Sequence, residues 1–326
     1  MPQTLDPVRP VTLDEIREAR ERIADVIVRT PLVKMELGPE YPDIRLKLEN
    51  LQPINAYKLR GAANAVAKLS GAERARGVWT ISAGNAGQGV AYAARSAGVP
   101  CTVVAIETAP VAKMERMRAL GANVIPVPYD VAWKALETRE YPGVGGTFVH
   151  PFDDHDFIAG HGTMALEILE DAPEVTTVIA GIGGGGLVTA LGSAIKAIRP
   201  DVNVWGAEPE TAAPAAKSFA TGSPQVFDEW QRTFVDGAGG QSLFPRMWER
   251  MRPVVDGSIV VTLQEIRRAM RLMAEKTRVI SEGAGALPVA AALSGKAGRG
   301  TIVAVVSGGN IDLDKFWELI RDVSAQ

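Results

Sequence analysis

The run of residues 176–187, T-T-V-I-A-G-I-G-G-G-G-L, constrains this chain more than any other. An apolar, β-branched strand over 176–180 meets consecutive glycines, and a helix to residue 198 follows. Strand, tight loop and helix in succession is the repeating unit of a parallel α/β sheet. Glycines between two buried elements cost conformational entropy, so they require a use. Their backbone N–H groups can converge on an anion at the helix start, and a phosphate suits that geometry. Two more strands end the same way, in Ser82-Ala83-Gly84-Asn85 and in Ser307-Gly308-Gly309-Asn310. Open parallel sheets bind ligands beyond their C-terminal strand ends, which is where all three loops fall.

The rest of the chain keeps the alternation. A helix is expected over 12–26, opened by a Thr12/Glu15 capping box, with Ile16, Ala19, Ile23 and Val26 as its stripe. A turn is expected at 29–32, a strand over 44–48 and an alanine-rich helix over 60–68. Strands over 77–81, 101–106, 124–127 and 147–150 alternate with helices over 85–96, 110–120 and 131–138, Pro110 standing in the first turn of the second. The loop H-P-F-D-D-H-D precedes a helix over 162–168. A strand over 202–207, an irregular stretch over 209–237, helices over 262–276 and 283–293, a strand over 301–306 and a helix from about Asp312 complete the pattern. The fold class is α/β, with strands apolar enough to be buried on both faces.

A length of 326 residues allows one large domain or two moderate ones. A net charge of −3 argues against nucleic acid or an anionic membrane as partner. No apolar run reaches the roughly 18 residues of a membrane span, and residues 1–10 carry no basic-then-apolar signal pattern, so a cytoplasmic location is expected. The single cysteine, Cys101, opens an apolar strand and reads as packing. Three histidines and one cysteine leave few ligands for zinc.

Lys58 stands between Tyr57 and a small-residue turn where a helix begins. Such a lysine is either a surface charge or an amine aimed into a pocket. Ser82 and Asn85 offer side-chain hydrogen bonds beside backbone N–H groups, which suits a carboxylate or a helix cap. Gly181, Gly183 and Gly186 also match G-x-G-x-x-G, and Glu208 lies at the distance of a ribose ligand, which leaves NAD and an oxidoreductase open.

Taken in order, R-T-P-L, K-x-E-N-x-Q, the lysine turn followed by R-G-A, S-A-G-N, A-G-x-G-T, G-x-G-G-G-G-L, A-E-P and S-G-G-N resemble one family. It is the pyridoxal-phosphate (PLP) enzymes of the tryptophan-synthase-β type (fold type II), in the branch of threonine/serine dehydratases and serine racemase. The resemblance implies two open parallel-sheet domains with helices on both faces and PLP in the cleft between them. Residues 1–75 and 150–326 would form the large domain and 76–149 the small one. It implies that Lys58 carries the cofactor as a Schiff base and serves as general base. Gly183, Gly184, Gly185, Gly186 and Leu187 would hold the phosphate, Asn85 the ring hydroxyl and Ser307 the pyridine nitrogen, with Tyr57 beside the ring. Ser82, Ala83, Asn85 and Ala86 would receive the substrate carboxylate. The implied reaction is β-elimination from a β-hydroxy amino acid such as threonine, serine or a bulkier analogue, giving a 2-oxo acid and ammonia. β-Replacement and racemisation are the alternatives on the same cofactor. A homodimer or higher homo-oligomer is implied.

The chain departs from that pattern in four places. Ala86 replaces a histidine, and His161 replaces a glutamine; either the imidazole is supplied from the second position or the two substitutions are unrelated. Ala56-Tyr57-Lys58 replaces S-F-K, which suggests a roomier substrate pocket. Glu208, Ala212 and Pro214 stand at the racemase branch's metal position, and proline offers no side-chain ligand, so no tight metal site is expected. Ala83 stands where racemases place a serine acid, so racemisation should be weak.

Overall fold

The computed structural model describes residues 7–109 and 111–324. Pro110 and the first six residues of the signal reading lie outside the described residues. Among the described residues, ten strands form in chain order: β1 (Leu32–Lys34), β2 (Asp43–Lys47), β3 (Val78–Ile81), β4 (Cys101–Ile106), β5 (Asn123–Val127), β6 (Thr147–Phe148), β7 (Thr177–Gly181), β8 (Asn203–Pro209), β9 (Gly257–Val261) and β10 (Thr301–Val305). They build two sheets, β1-β2-β10-β7-β8-β9 and β5-β4-β3-β6. Every pairing is parallel except β1 with β2. The expected α/β class with two parallel sheets is what the chain adopts.

The chain divides into two compact units. One holds residues up to Val28 with Lys58–Thr163, and the other holds Arg29–Tyr57 with Met164 onward. The four-stranded sheet lies wholly inside 76–149 and the six-stranded sheet wholly outside it, but the helices are shared out differently from the sequence-based division. Helix Lys58–Ala67 goes with the smaller sheet because its alanines pack against helix Asn85–Ser96. There Ala62, Ala65, Ala91 and Ala94 let the two backbones approach closely.

In the larger unit, Ile44, Leu46, Ile179, Ile302 and Ala304 form the centre of the core. Helix Gly283–Leu293 packs on this sheet, and helix Leu263–Thr277, opened by a Thr262/Glu265 capping box, packs against that helix and adds Ile266, Ala269, Met270 and Met273 to the same core. A buried polar network braces β2. Lys47 Nζ donates to Glu167 at 2.5 Å and to the Thr30 carbonyl at 2.7 Å. The Thr30 hydroxyl donates to Glu49 at 2.6 Å, and Gln52 donates to the same carboxylate at 3.3 Å. R-T-P-L and K-x-E-N-x-Q are therefore two halves of one internal scaffold.

Three sequence expectations change. The helix expected over 162–168 is His155–Asp171. Gly160 and Gly162 do not start it. They are close-approach positions inside it, against the Arg60 carbonyl and Ile16. The turn expected at 29–32 gives way to β1, and β9 arises where no strand was expected. Strand β9 alternates buried and half-buried residues at the sheet edge, a weaker signal than an all-apolar run. The 209–237 stretch is irregular as expected, with one helix, Pro214–Thr221.

Candidate active site

The turn that delivers Lys58 is moulded by the loop after β10. Tyr57 N–H donates to the Ser307 carbonyl at 3.0 Å, and Gly309 N–H to the Asn55 carbonyl at 2.9 Å. Asn310 Nδ2 donates to the Ile54 carbonyl at 2.9 Å, and Ala56 forms an antiparallel bridge with Gly308. The chain passes directly from Tyr57 into helix Lys58–Ala67. S-G-G-N therefore holds the backbone just before the lysine, a role beyond that of its serine.

The Lys58 amine donates to the Pro151 carbonyl at 2.7 Å and lies 5.4 Å from the Phe157 ring centroid. Burial lowers its pKa from 10.5 to about 7, because a low-dielectric surrounding disfavours the ammonium. Near neutral pH much of it is free amine, competent as nucleophile and as base. The surface-charge alternative for Lys58 does not hold.

His161 is fully buried, edge-on to Phe157 at 4.7 Å between ring centroids. Its ring abuts Gly61, where a Cβ would come within 2.6 Å of Cε1. Burial, then the Lys58 and Arg60 charges, holds its pKa well below 6.5, so the imidazole is neutral. Arg60 itself is buried and donates to the Thr163 hydroxyl at 3.1 Å. His161 thus packs from its own helix against Gly61, one turn after Lys58, and Ala86 is buried near the start of helix Asn85–Ser96.

After β3, Ser82 Oγ accepts the Gly84 N–H at 3.1 Å, so the hydroxyl shapes its own loop. Gly84 precedes helix Asn85–Ser96, and no side chain caps that helix. Ala83 and Asn85 flank Gly84, both half-buried. Cys101 is buried with its thiol pushed up to about 12, which fits packing and not nucleophilic chemistry.

In the larger unit, β7 and β10 are adjacent and parallel, with Ala304 beside Ile179. Their C-terminal ends bring the tetraglycine loop and the Ser307 loop out side by side. Gly185 is left-handed at φ 85° and caps helix Gly186–Ile198 without a side-chain bond. A Cβ on Gly183 would approach the Gly237 carbonyl to 2.9 Å. The amides of Gly186, Leu187 and the next residue have no intrahelical acceptor at a helix start, and Gly184 adds no side chain to block them. This cradle fits a phosphate. Ser307 is buried at the end of β10. Burial, with the Glu282 carboxylate adding to it, raises the Tyr57 pKa, so its phenol stays protonated.

Glu208, open on spacing as a ribose ligand, is engaged elsewhere. Its carboxylate accepts from Ala215 N–H at 2.8 Å, Ala216 N–H at 2.7 Å and Ser258 Oγ at 2.7 Å. Burial raises its pKa from 4.5 to about 7, against the pull of those three donors. Pro214 opens the helix that Glu208 caps, and Ala212 is buried before it.

Sequence reasoning missed the Pro151 carbonyl, Phe157 and the Lys47–Glu167 pair. A backbone carbonyl has no residue signature, and Phe157 lay between the loop read over 150–156 and the helix expected over 162–168. Only the pair had a signal, in the lysine and glutamates of an otherwise apolar core.

The pyridoxal-phosphate dependent enzyme family matches residues 23–308. The L-threonine ammonia-lyase of Thermotoga maritima is 40% identical over 316 residues, covering 95% of this chain and 78% of that protein. The catabolic L-threonine dehydratase TdcB of Staphylococcus aureus N315 is 39% identical over 98% of this chain and 94% of its own length. Among solved structures, maize serine racemase superposes with a TM-score of 0.85 at 33% identity, covering 94% of this chain and 96% of that one.

Proposed function

We propose, from the premise that this chain belongs to the pyridoxal-phosphate dependent enzyme family, that it is an ammonia-lyase. It would dehydrate and deaminate a small β-hydroxy amino acid, L-threonine, L-serine or a bulkier analogue, and release a 2-oxo acid and ammonia. The observation that carries the reading is Lys58, a half-buried amine at a helix start that donates to the Pro151 carbonyl and has its pKa lowered to about 7. The two named bacterial relatives support this reaction class over others.

When bound, the cofactor supplies an electron sink for the α-carbon. Lys58 Nζ would hold it covalently and, once exchanged for the substrate's amine, take the α-proton. Backbone N–H groups of Gly183, Gly184, Gly185, Gly186 and Leu187 would bind the phosphate. Asn85 would donate to the ring hydroxyl, and Tyr57 would flank the ring. Ser307 would face the ring nitrogen. A neutral hydroxyl there sustains ring protonation less than a carboxylate would, which favours loss of a β-leaving group over a long-lived carbanion. Ser82, Ala83, Asn85 and Ala86 would receive the substrate carboxylate, and neutral His161 would complete the wall that Ala86 leaves short. Ala86 would leave room for side chains larger than threonine. The chain would work in the cytoplasm as a homodimer or higher homo-oligomer.

Racemisation is the second reading, favoured by the likeness to maize serine racemase. Ala83, with no proton to give, and Glu208, turned onto Ala215 and Ala216, weigh against it. A panel of β-hydroxy amino acids assayed for 2-oxo acid release decides. Release from at least one, abolished in Lys58→Ala, is the expected result. D/L interconversion outpacing 2-oxo acid release would replace the lyase reading with the racemase one.

A further inference from the structure

The loop 150–156 carries a histidine that the chemistry above does not use. His150 is buried, and its Nδ1 accepts from Asp153 N–H at 2.9 Å and from Phe152 N–H at 3.3 Å. The Phe152 N–H belongs to the same peptide group as the Pro151 carbonyl. In a trans peptide these two bonds point in opposite directions within one plane, and their dipoles reinforce each other. The Pro151 carbonyl is the acceptor of the Lys58 amine, at 2.7 Å. We infer that His150 is a positioning residue for Lys58, acting through the Pro151–Phe152 peptide.

The argument is geometric. Holding the N–H end of a rigid plane fixes where its C=O end points. Donation to the imidazole also polarises the peptide, which makes its carbonyl a better acceptor. The loop is pinned just past that plane. Arg139 donates to the Asp153 carbonyl at 3.0 Å and to its carboxylate at 2.6 Å. Asp154 caps helix His155–Asp171 through Phe157 N–H at 2.9 Å. Phe148 and Phe152 meet the imidazole edge-on, at 5.7 and 4.5 Å between centroids, and set its plane. Nδ1 must be unprotonated to accept, so His150 works as the tautomer with its proton on Nε2.

This deepens the proposed function and rests on Lys58 being the reactive amine. A lysine released by substrate exchange must stay near the α-carbon with its lone pair available. The Pro151 carbonyl takes one N–H and leaves the lone pair free. The flexible four-carbon stem is thereby held to one direction.

The test uses the full chain freed of cofactor, with competitive acetylation of Lys58 across pH read by peptide mass spectrometry. His150→Asn keeps an acceptor near the Nδ1 position and loses the ring. His150→Phe keeps the ring contacts and loses the acceptor. The nearby Arg60 and His161 are unchanged in both. A carbonyl binds an ammonium more strongly than an amine, so losing its orientation should lower the Lys58 midpoint by roughly one unit. The inference expects His150→Asn to follow the wild type and His150→Phe to shift. The reverse ranking, with His150→Asn displaced and His150→Phe like wild type, makes His150 a packing residue and overturns the inference. Equal profiles in all three proteins overturn it too. If His150→Phe does not fold, His150→Leu, which also lacks an acceptor, takes its place: a shifted profile beside a wild-type-like His150→Asn upholds the claim, and a profile equal to both overturns it. No cofactor is present in this measurement, so its failure is distinct from failure of the functional reading, which Lys58→Ala tests.

Discussion

Replacing Lys58 with methionine should stabilise the cofactor-free chain at pH 7 and lose that advantage as the pH rises. The reason is proton linkage. Folding takes the Lys58 amine from a pKa of 10.5 to about 7, by burial. Between those values the unfolded chain holds a proton that the folded chain has released. Stability therefore rises with pH across that window, by up to about 1.4 kcal/mol per unit. Below pH 7 both states are protonated and the full burial penalty applies. Since the folded group is half titrated at pH 7, the change from pH 7 to pH 9 amounts to about 2 kcal/mol. Methionine matches the stem in shape and does not titrate. Urea unfolding of both proteins at pH 7 and pH 9 isolates the effect, because every other group cancels in the difference. The gap should close by about 2 kcal/mol, which is on the order of 0.5–1 M in the urea midpoint. Parallel pH profiles would mean that the amine is solvated with an ordinary pKa, and the case for a poised lysine would fail.

Other perturbations test the scaffold. Glu167→Gln strands the buried Lys47 ammonium, which bonds Glu167 at 2.5 Å, and should destabilise by about 3–5 kcal/mol in a thermal melt; a loss below about 1 kcal/mol would place that pair in solvent. Gly183→Ala puts a Cβ 2.9 Å from the Gly237 carbonyl, and the forced shift should weaken PLP binding about tenfold or more by absorbance titration; unchanged affinity moves the phosphate away from this loop. Glu208 has its folded pKa raised from 4.5 to about 7, so its contribution is complete below pH 4.5 and is lost as pH rises through 7. Glu208→Gln should flatten that slope in unfolding curves, and an unaltered slope would assign it to another group.

Elements with strong local signatures were legible in the sequence. The Thr12/Glu15 capping box, the apolar, β-branched β7 and the alanine-rich helices appear where their patterns put them. Three-residue β1 and edge strand β9 are held by pairing to neighbours and carry little pattern of their own. The early start of helix His155–Asp171 was hidden because its glycines, read as a boundary, serve helix packing. At the site, the glycine runs and Lys58 were legible because loop chemistry restricts residue type. What positions Lys58 was not. Its acceptor is the Pro151 carbonyl, and the mould of its turn is in the main backbone bonds to Ser307 and Gly309, which any sequence of suitable shape could make; the Asn310 side chain on the Ile54 carbonyl is the part with a residue signature.

The central claim is that Lys58 Nζ is the atom that holds the cofactor. It is tested most directly by reducing the purified, PLP-loaded protein with borohydride and mapping the modified peptide by mass spectrometry. The account predicts a pyridoxyl group on Lys58 and, in Lys58→Ala, neither that adduct nor the violet-edge absorbance band. A pyridoxyl group on another lysine, or a band that survives in Lys58→Ala, would contradict it.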